Sequence, residues 1–162
     1  MPELNAQEFS FLSETERYDA FLRQYRSGDP ADAKTLNSLY ASIDPLIPLI
    51  LLQYLEEIPE KAAAAAVVGL IESDNDVVAK AAMNAYHRSH YPGKARLLKP
   101  LILSRVERAC RFAVRTLARA GFTEVLPLIL RELPDREGPA RVEMLEALRH
   151  LPDRRATRAL VP

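Results

Sequence analysis

The sequence predicts an all-α protein in which pairs of helices stack along the chain. Three observations favour this fold class. Alanine and leucine, which lose little side-chain freedom in a helix, are abundant, whereas there are only 5 glycines and no tryptophan. Helix-start signals recur along the chain and strand patterns are nearly missing. Apolar positions also repeat at an interval of 31 residues.

The N-terminal helices follow from local signals. Ser13 and Glu16 have the spacing of a capping box, in which each side chain covers a backbone amide at the helix start. That helix is predicted to stop at Gly28, which tolerates a left-handed backbone. Asp29 stands before a proline and predicts the start of the next helix. We expect residues 1–43 to form an N-terminal helical cap.

Later helices carry similar signals. Asp44 precedes a proline, as Asp29 does, and predicts another helix start. Ser104 and Glu107 have capping-box spacing, and their helix is predicted to end at Gly121. Gly138, followed by proline, predicts the start of one more helix.

The 31-residue repeat places apolar residues on one face of each successive helix. Within a copy the repeating positions fall at i, i+4, i+7, i+8 and i+11, which is the spacing of one helix face. The five columns are Ile47/Val78/Ala109/Ala140, Leu51/Ala82/Ala113/Met144, Tyr54/Ala85/Thr116/Ala147, Leu55/Tyr86/Leu117/Leu148 and Ile58/Ser89/Ala120/Leu151. Ser89 and Thr116 are the least apolar of these residues.

A second set of helices is predicted between the first. Its members are 60–72, 94–103 and 122–133, with another beginning near residue 154. Residues 44–162 then hold about three and a half two-helix units, and the last unit is incomplete. Because one helical hairpin cannot bury its apolar stripe alone, neighbouring units must share a core. An open C-terminal end could also self-associate.

The pattern resembles the HEAT repeat, in the short form of phycobilisome-lyase-type proteins. The resemblance is carried by the run IESDNDVVAKAA at 71–82, with LARAGFTEVLPLIL at 117–130 and LRHLPDRRATRAL at 148–160. It implies a right-handed α-solenoid of HEAT-like helical hairpins, and armadillo-like arrays are the alternative. The pattern departs from the family at Tyr86 and Ser89, and in the long turn at 88–93.

Charge is distributed unevenly along the chain. Residues 1–80 carry 14 acids and 6 bases, whereas residues 81–162 carry 8 acids and 16 bases, 14 of them arginine. Five arginines occur in SRVERACRFAVRTLAR at 104–119. On a helical wheel they fill an arc of roughly 120°, away from the apolar side. Their mutual repulsion could be relieved by Glu107, Glu143 or Glu146, or by an anionic ligand.

In HEAT-like solenoids the second helix of each pair generally lines the concave side, so the resemblance implies that these arginines face a groove. Arginine suits such a role because its planar fork binds carboxylate or phosphate at two points. Applying the 31-residue register gives the candidate binding surface, namely Lys80, Asn84, Arg88, Arg108, Arg111, Arg115, Arg119 and Glu146. A solvated face balanced by neighbouring acids is the alternative interpretation.

Catalytic and metal-binding motifs are missing from the sequence. No glycine-rich phosphate loop, zinc motif, serine-nucleophile motif or calcium loop occurs, so no cofactor or metal is expected. His87 and His90 are better explained as helix-end histidines than as metal ligands. Cys110 borders the apolar side and is predicted to be an inert packing thiol. Asp74 and Asp76 are predicted to cap the helix at 76–89.

The function predicted from these features is a non-enzymatic scaffold that holds an acidic protein or peptide in a basic groove. Nucleic-acid binding is one alternative, although aromatic residues rarely interleave with the arginines. A chromophore-handling protein like the bilin lyases is another, and it would need a pocket with an acid and an aromatic wall. The acidic N-terminus lacks an apolar run and the longest apolar stretch is short, so we expect a cytoplasmic protein without membrane contact.

Overall fold

The computed structural model describes residues 5–151, and that part of the chain is helical and contains no strand. The predicted all-α class is therefore confirmed. The predicted helix near residue 154, and self-association through the C-terminal end, lie outside the described residues. Within them, the α-helices are α1 (Ala6–Phe11), α2 (Glu14–Ser27), α3 (Pro30–Tyr40), α4 (Leu46–Glu57), α5 (Lys61–Leu70), α6 (Asp76–Arg88), α7 (Lys94–Leu97), α8 (Glu107–Arg119), α9 (Leu126–Glu132) and α10 (Gly138–His150).

The chain divides between Tyr91 and Pro92 into two compact units. The first unit contains α1 to α6, and the second contains α7 to α10. This division differs from the predicted boundary between residues 1–43 and 44–162. The predicted boundary falls inside the first unit, where α3 contacts α4.

In the first unit, aromatic residues of α2 contact Tyr54 of α4. The Tyr54 ring lies 5.0 Å from the Tyr18 ring and 5.5 Å from the Phe21 ring, measured between centroids. Helix α4 also contacts α5 and α6, and α5 contacts α6. Leu51 and Leu55 of α4 are fully buried, and burial of a leucine side chain contributes about 2 kcal/mol.

The second unit is built around the contact between α8 and α10. A 3₁₀ segment, Lys99–Leu103, also packs against α8. The core of this unit contains fully buried residues from the 3₁₀ segment, α8, α9 and α10, including Ile102, Leu117, Ile129 and Met144.

Burial follows the 31-residue register closely. Of the twenty residues in its five columns, all are buried except Thr116, which is half-buried, and Ala120, which is exposed. Ser89, whose polar side chain makes it one of the least apolar residues of the register, is also buried. The register therefore identifies the core face of α4, α6, α8 and α10.

Several predicted helix ends are confirmed. The Ser13 and Glu16 capping box is present, and its hydrogen bonds lower the pKa of the Glu16 carboxyl below its ordinary value. Gly28 ends α2 in a left-handed conformation with φ of 68°. Asp29 caps α3 by accepting from the Ala31 amide at 2.8 Å. Helix α10 begins at Gly138 as predicted.

Other predicted starts are wrong by one or two residues. Ser104 does not cap α8, because its hydroxyl accepts from the Val106 amide at 3.1 Å and the helix begins only at Glu107. Likewise α4 begins at Leu46, one residue after the predicted proline. In both places the polar side chain closes a turn that precedes the helix.

The predicted aspartate caps of α6 are also wrong. The cap is Asn75, whose side-chain oxygen accepts from the Val77 amide at 2.9 Å and the Val78 amide at 3.3 Å. Asp76 lies in the first turn, where a negative charge favours the positive end of the helix dipole.

The helix predicted over 94–103 is divided. Helix α7 covers Lys94–Leu97, and the 3₁₀ segment Lys99–Leu103 follows it. Pro100 accounts for the break, because proline lacks an amide hydrogen and its ring clashes with the carbonyl four residues earlier.

Candidate functional site

Helix α8 carries most of the predicted arginine arc, opposite a stripe of fully buried residues that includes Ala109, Ala113 and Leu117. Arg115 and Arg119 are exposed, whereas Arg108 and Arg111 are half-buried. Arg105, which was predicted to lie on the same helix, is exposed but precedes its first residue.

Glu143 of α10 binds two of these arginines. The Arg115 guanidinium donates to both carboxylate oxygens, with Nε lying 2.9 Å from Oε1. The Nε atom of Arg111 lies 3.9 Å from Oε2 of the same carboxylate. Only 7% of the Glu143 side chain is exposed, so it needs these cations to offset the loss of water.

The predicted relief of arginine repulsion is therefore present, and it has two sources. Glu143 is the main one, and Glu107 lies 3.8 Å from Arg111 along the helix. The hydrogen bonds that Arg115 donates to Glu143 raise the pKa of Arg115 above its ordinary value; burial opposes this rise, and the charges of Glu143 and Glu146 add to it. Glu146, the third predicted source, makes no ion pair with a described residue.

A small polar pocket lies beside this ion pair, between α8 and α10. Its volume is about 100 Å³. We call it the α8–α10 pocket, and it is lined by Arg115, Ala118, Arg119, Glu143, Glu146, Ala147 and His150. The structure thus brings together three members of the predicted surface, Arg115, Arg119 and Glu146.

Three other predicted residues, Lys80, Asn84 and Arg88, belong to α6 of the first unit. All three are exposed. Arg88 is engaged by Glu56 of α4, with its Nε 2.8 Å from the carboxylate Oε2. Arg88 therefore has an ion-pair partner within its own unit.

Sequence reasoning missed Arg136, which is buried in the second unit with 9% of its surface exposed. Its guanidinium donates to the carbonyls of Ser104 and Ile102 at 2.8 and 3.3 Å, and to the Glu132 carboxylate at 3.3 Å. The spacing of Glu132 and Arg136 was the only local signal of this pair. The two carbonyls are distant in sequence and could not be anticipated.

Cys110 is fully buried, as predicted for a packing thiol, and donates to the Ile102 carbonyl at 3.3 Å. Burial raises the pKa of this thiol, and the nearby Arg136 only partly offsets that effect. The arginine whose charge lowers the pKa of the Cys110 thiol is Arg136, and not Arg111, which is adjacent to Cys110 in sequence.

Among the described residues, the histidines do not join other side chains in a metal centre. His87 and His90 are exposed. Across the part of the chain that the structure describes, no group of three or more His, Cys, Asp or Glu side chains could hold a metal ion.

A larger cavity, of about 730 Å³, lies in the first unit and contains none of the predicted site residues. It is bordered by the connection between α3 and α4, by small residues of α5 such as Ala65 and Gly69, and by the loop before α6. Exposed Ile43 lines it.

No protein-family model, curated protein or solved structure matches this chain. Among residues 5–151, no helix has both the length and the apolar character that crossing a bilayer requires.

Proposed function

We propose that this protein is a non-enzymatic binding module that holds carboxylate side chains of an acidic partner protein at the α8–α10 pocket. The observation that carries the proposal is the state of Arg119. It lines the pocket and is exposed, and it makes no ion pair with any described residue. Beside it, Arg115 is already fixed by Glu143.

The two arginines would play different parts. Because Glu143 holds Arg115 in one orientation, that side chain loses little further freedom when a ligand arrives. Arg119 has its hydrogen-bonding fork available for a carboxylate. A cavity of about 100 Å³ can take a carboxylate group but not a large ligand.

The formal net charge of the whole chain is zero, but the charge of the second unit favours an acidic partner. Residues 92–162 carry 15 bases against 8 acids, a net charge of +7. A charge of this size increases the rate at which an oppositely charged partner is encountered.

The repeat architecture remains part of this proposal. We propose that the helices form a right-handed solenoid of HEAT-like hairpins. Within the first unit α4 contacts both α5 and α6, and within the second α8 contacts α10. Contact between a helix and the next but one along the chain is typical of stacked hairpins, which supports the proposal.

The test compares two arginines of equal charge. Binding of a fluorescent oligoglutamate peptide would be measured by anisotropy for the native protein, Arg119→Glu and Arg105→Glu. Arg105 is also exposed but does not line the pocket, so its variant controls for the change in overall charge. We expect Arg119→Glu to weaken binding by about tenfold, and Arg105→Glu by about twofold.

Two further probes are measured in the same way. An oligoglutamine peptide shows how much binding remains without carboxylates, and a single-stranded oligonucleotide tests the nucleic-acid alternative. Equal losses in the two variants, or no oligoglutamate binding by the native protein, would overturn the proposal. Oligonucleotide binding that is tighter than oligoglutamate binding and falls steeply with salt would favour the nucleic-acid alternative instead. Circular dichroism checks that each variant remains folded.

A further inference from the structure

The larger cavity of the first unit, of about 730 Å³, plays no part in the proposed function. We call it the α5 groove, because Ala65, Ala66 and Gly69 of α5 form one of its sides. The other sides come from the connection between α3 and α4 (residues 41–45), from the loop between α5 and α6 (residues 71–75), and from residues of the adjoining helices. Its volume lies in the range of ligand-binding pockets.

Large apolar side chains are exposed at and next to this groove. Ile43 lines it and is 99% exposed. Leu46 and Val77 are also exposed, and each is next in sequence to a residue that lines the groove. These three are half of the six large apolar side chains that are exposed between residues 5 and 151. Exposed apolar surface that is concentrated in one region is typical of an interaction site.

The α5 side of the groove has room for a further side chain. Ala65 and Gly69 are exposed, and Ala66 is half-buried. A Cβ atom added at Gly69 would meet no atom within 4 Å. Tyr40 and Pro48 line the groove as well and add apolar surface from α3 and α4. An apolar side chain from outside the molecule can therefore pack here.

Both connecting segments are fixed by local hydrogen bonds. The Asp44 amide donates to the Ser42 hydroxyl at 3.2 Å, and the Leu46 amide donates to the Asp44 carboxylate at 3.0 Å. In the other segment the Asn75 amide donates to the Ser73 hydroxyl at 3.3 Å. Because these bonds already hold the backbone, little conformational entropy is lost there when a partner binds.

The two connecting segments carry negative charge. Residues 41–45 and 71–76 contain four acids and no base. Asp74 lines the groove, is exposed, and makes no ion pair with a described residue. None of the described residues that line the groove is a lysine or an arginine. These formal charges favour a cationic partner.

The helix ends at the groove do not reverse this preference. Helices α3 and α5 end there, and neither has a basic residue in its last turn to offset the partial negative charge of a helix C-terminus. Helices α4 and α6 begin there, but Asp44 and Asp76 already lie at their positive ends. The groove therefore combines an apolar surface with a preference for cations.

We propose that the α5 groove binds a segment of a partner protein in which bulky apolar side chains stand beside lysine or arginine. The apolar side chains would pack on Ile43 and against α5, and a basic side chain would bind Asp74. Residues 1–91 carry 14 acids and 7 bases, and their net charge of −7 would attract such a segment. This site lies in the first unit and does not depend on the function proposed for the α8–α10 pocket.

The test titrates isotope-labelled full-length protein with three peptides and follows amide resonances by NMR. The first peptide, Lys-Lys-Leu-Leu-Lys-Lys, has both features. The second has serine in place of leucine, and the third has glutamate in place of lysine. We expect the first to cause saturable shifts at residues that line the groove, and each of the others to bind at least about tenfold more weakly. Equal binding of either control peptide, or no saturable binding of the first, would overturn the proposal.

Two alanines of α5 provide matched variants. Ala65→Phe places a ring in the groove, whereas Ala62→Phe places the same ring at an exposed position of the same helix that does not line it. Because both positions are exposed, neither ring has to enter the core. We expect Ala65→Phe to weaken binding of the leucine peptide by about tenfold and Ala62→Phe by less than about twofold.

Equal losses in the two variants, or shifts centred outside the groove, would overturn the proposal. Analytical ultracentrifugation of the native protein and both variants tests a different occupant. Self-association that Ala65→Phe abolishes and Ala62→Phe retains would assign the groove to a second copy of this chain, and would also overturn the proposal.

Discussion

Arg115 of α8 and Glu143 of α10 meet at two points, and the two residues differ greatly in exposure. The arginine side chain is 47% exposed, whereas the glutamate side chain is 7% exposed. Water can therefore solvate the cation if its partner is lost, but it can hardly reach the anion. The pair connects the two helices that form the α8–α10 pocket, so its loss should affect both stability and the shape of that pocket.

This difference predicts unequal costs for the two halves of the pair. Arg115→Met leaves the buried carboxylate with only Arg111, and we expect the free energy of unfolding to fall by about 2 kcal/mol. Glu143→Gln leaves an exposed arginine and keeps one acceptor oxygen, so we expect a loss of about 1 kcal/mol. Urea unfolding of both variants measures the difference. A larger loss for Glu143→Gln than for Arg115→Met would contradict this explanation.

Two glycines should respond to alanine in opposite directions. A Cβ atom added at either Gly69 or Gly121 would meet no atom within 4 Å, so space is not the issue. Gly69 lies within helix α5, where alanine should stabilise the protein by about 1 kcal/mol. Gly121 has φ of 69°, and alanine there should cost about 1 kcal/mol. Urea unfolding midpoints that move in the same direction for both variants would refute this prediction.

Cys110 should react with thiol reagents only when the protein opens. Its side chain is fully buried and donates to a carbonyl, and burial raises the pKa of the thiol. Since the thiolate is the reactive form, both effects slow reaction. We expect alkylation by iodoacetamide to be slow in native buffer and to accelerate by at least about tenfold in denaturing urea. Mass spectrometry measures the extent of alkylation over time. Fast modification of the native protein would contradict this prediction.

Stability should decline in alkaline solution because two tyrosines have a raised pKa in the folded protein. Burial raises the pKa of Tyr86 to about 12, and burial together with the hydrogen bond to Glu60 raises that of Tyr25 to about 12. An unfolded tyrosine has a pKa of about 10. Between about pH 10 and 12 the unfolded chain therefore releases protons that the folded chain keeps, so the free energy of unfolding falls as pH rises.

Ultraviolet absorbance of tyrosinate, recorded together with circular dichroism, tests this prediction. We expect part of the tyrosine absorbance change to coincide with loss of helix, and Tyr86→Phe to reduce the alkaline loss of stability. Complete titration of all tyrosines at about pH 10 with the helices intact would show that burial does not act in this way.

The core was predictable from sequence to a large extent, because a single repeating stripe determines it. Residues such as Leu55, Tyr86, Leu117 and Leu148 are all buried, and each follows from the 31-residue register. Helix ends were predictable where a residue and its neighbours within one helical turn determine them, as at Ser13 and Gly28. They were not predictable where a turn competes with the helix start, as at Ser104.

The candidate site was predictable only in part. The outward position of Arg115 and Arg119 follows from helix geometry, and Glu143 was one of the expected sources of relief. That Glu143 and not Glu146 binds Arg115 depends on how α8 and α10 pack. The contact between Tyr18 of α2 and Tyr54 of α4 likewise depends on tertiary packing, for which the local sequence holds no signal.

Arg136 joins segments that are 32 and 34 residues apart in sequence by donating to the carbonyls of Ser104 and Ile102. It does for this unit what a disulfide does in many small domains, since it restrains a long loop at one buried point. Unlike a disulfide, the restraint needs no oxidant to form, and reducing agents do not remove it. The second unit can therefore keep the same internal connection whether its surroundings are oxidising or reducing.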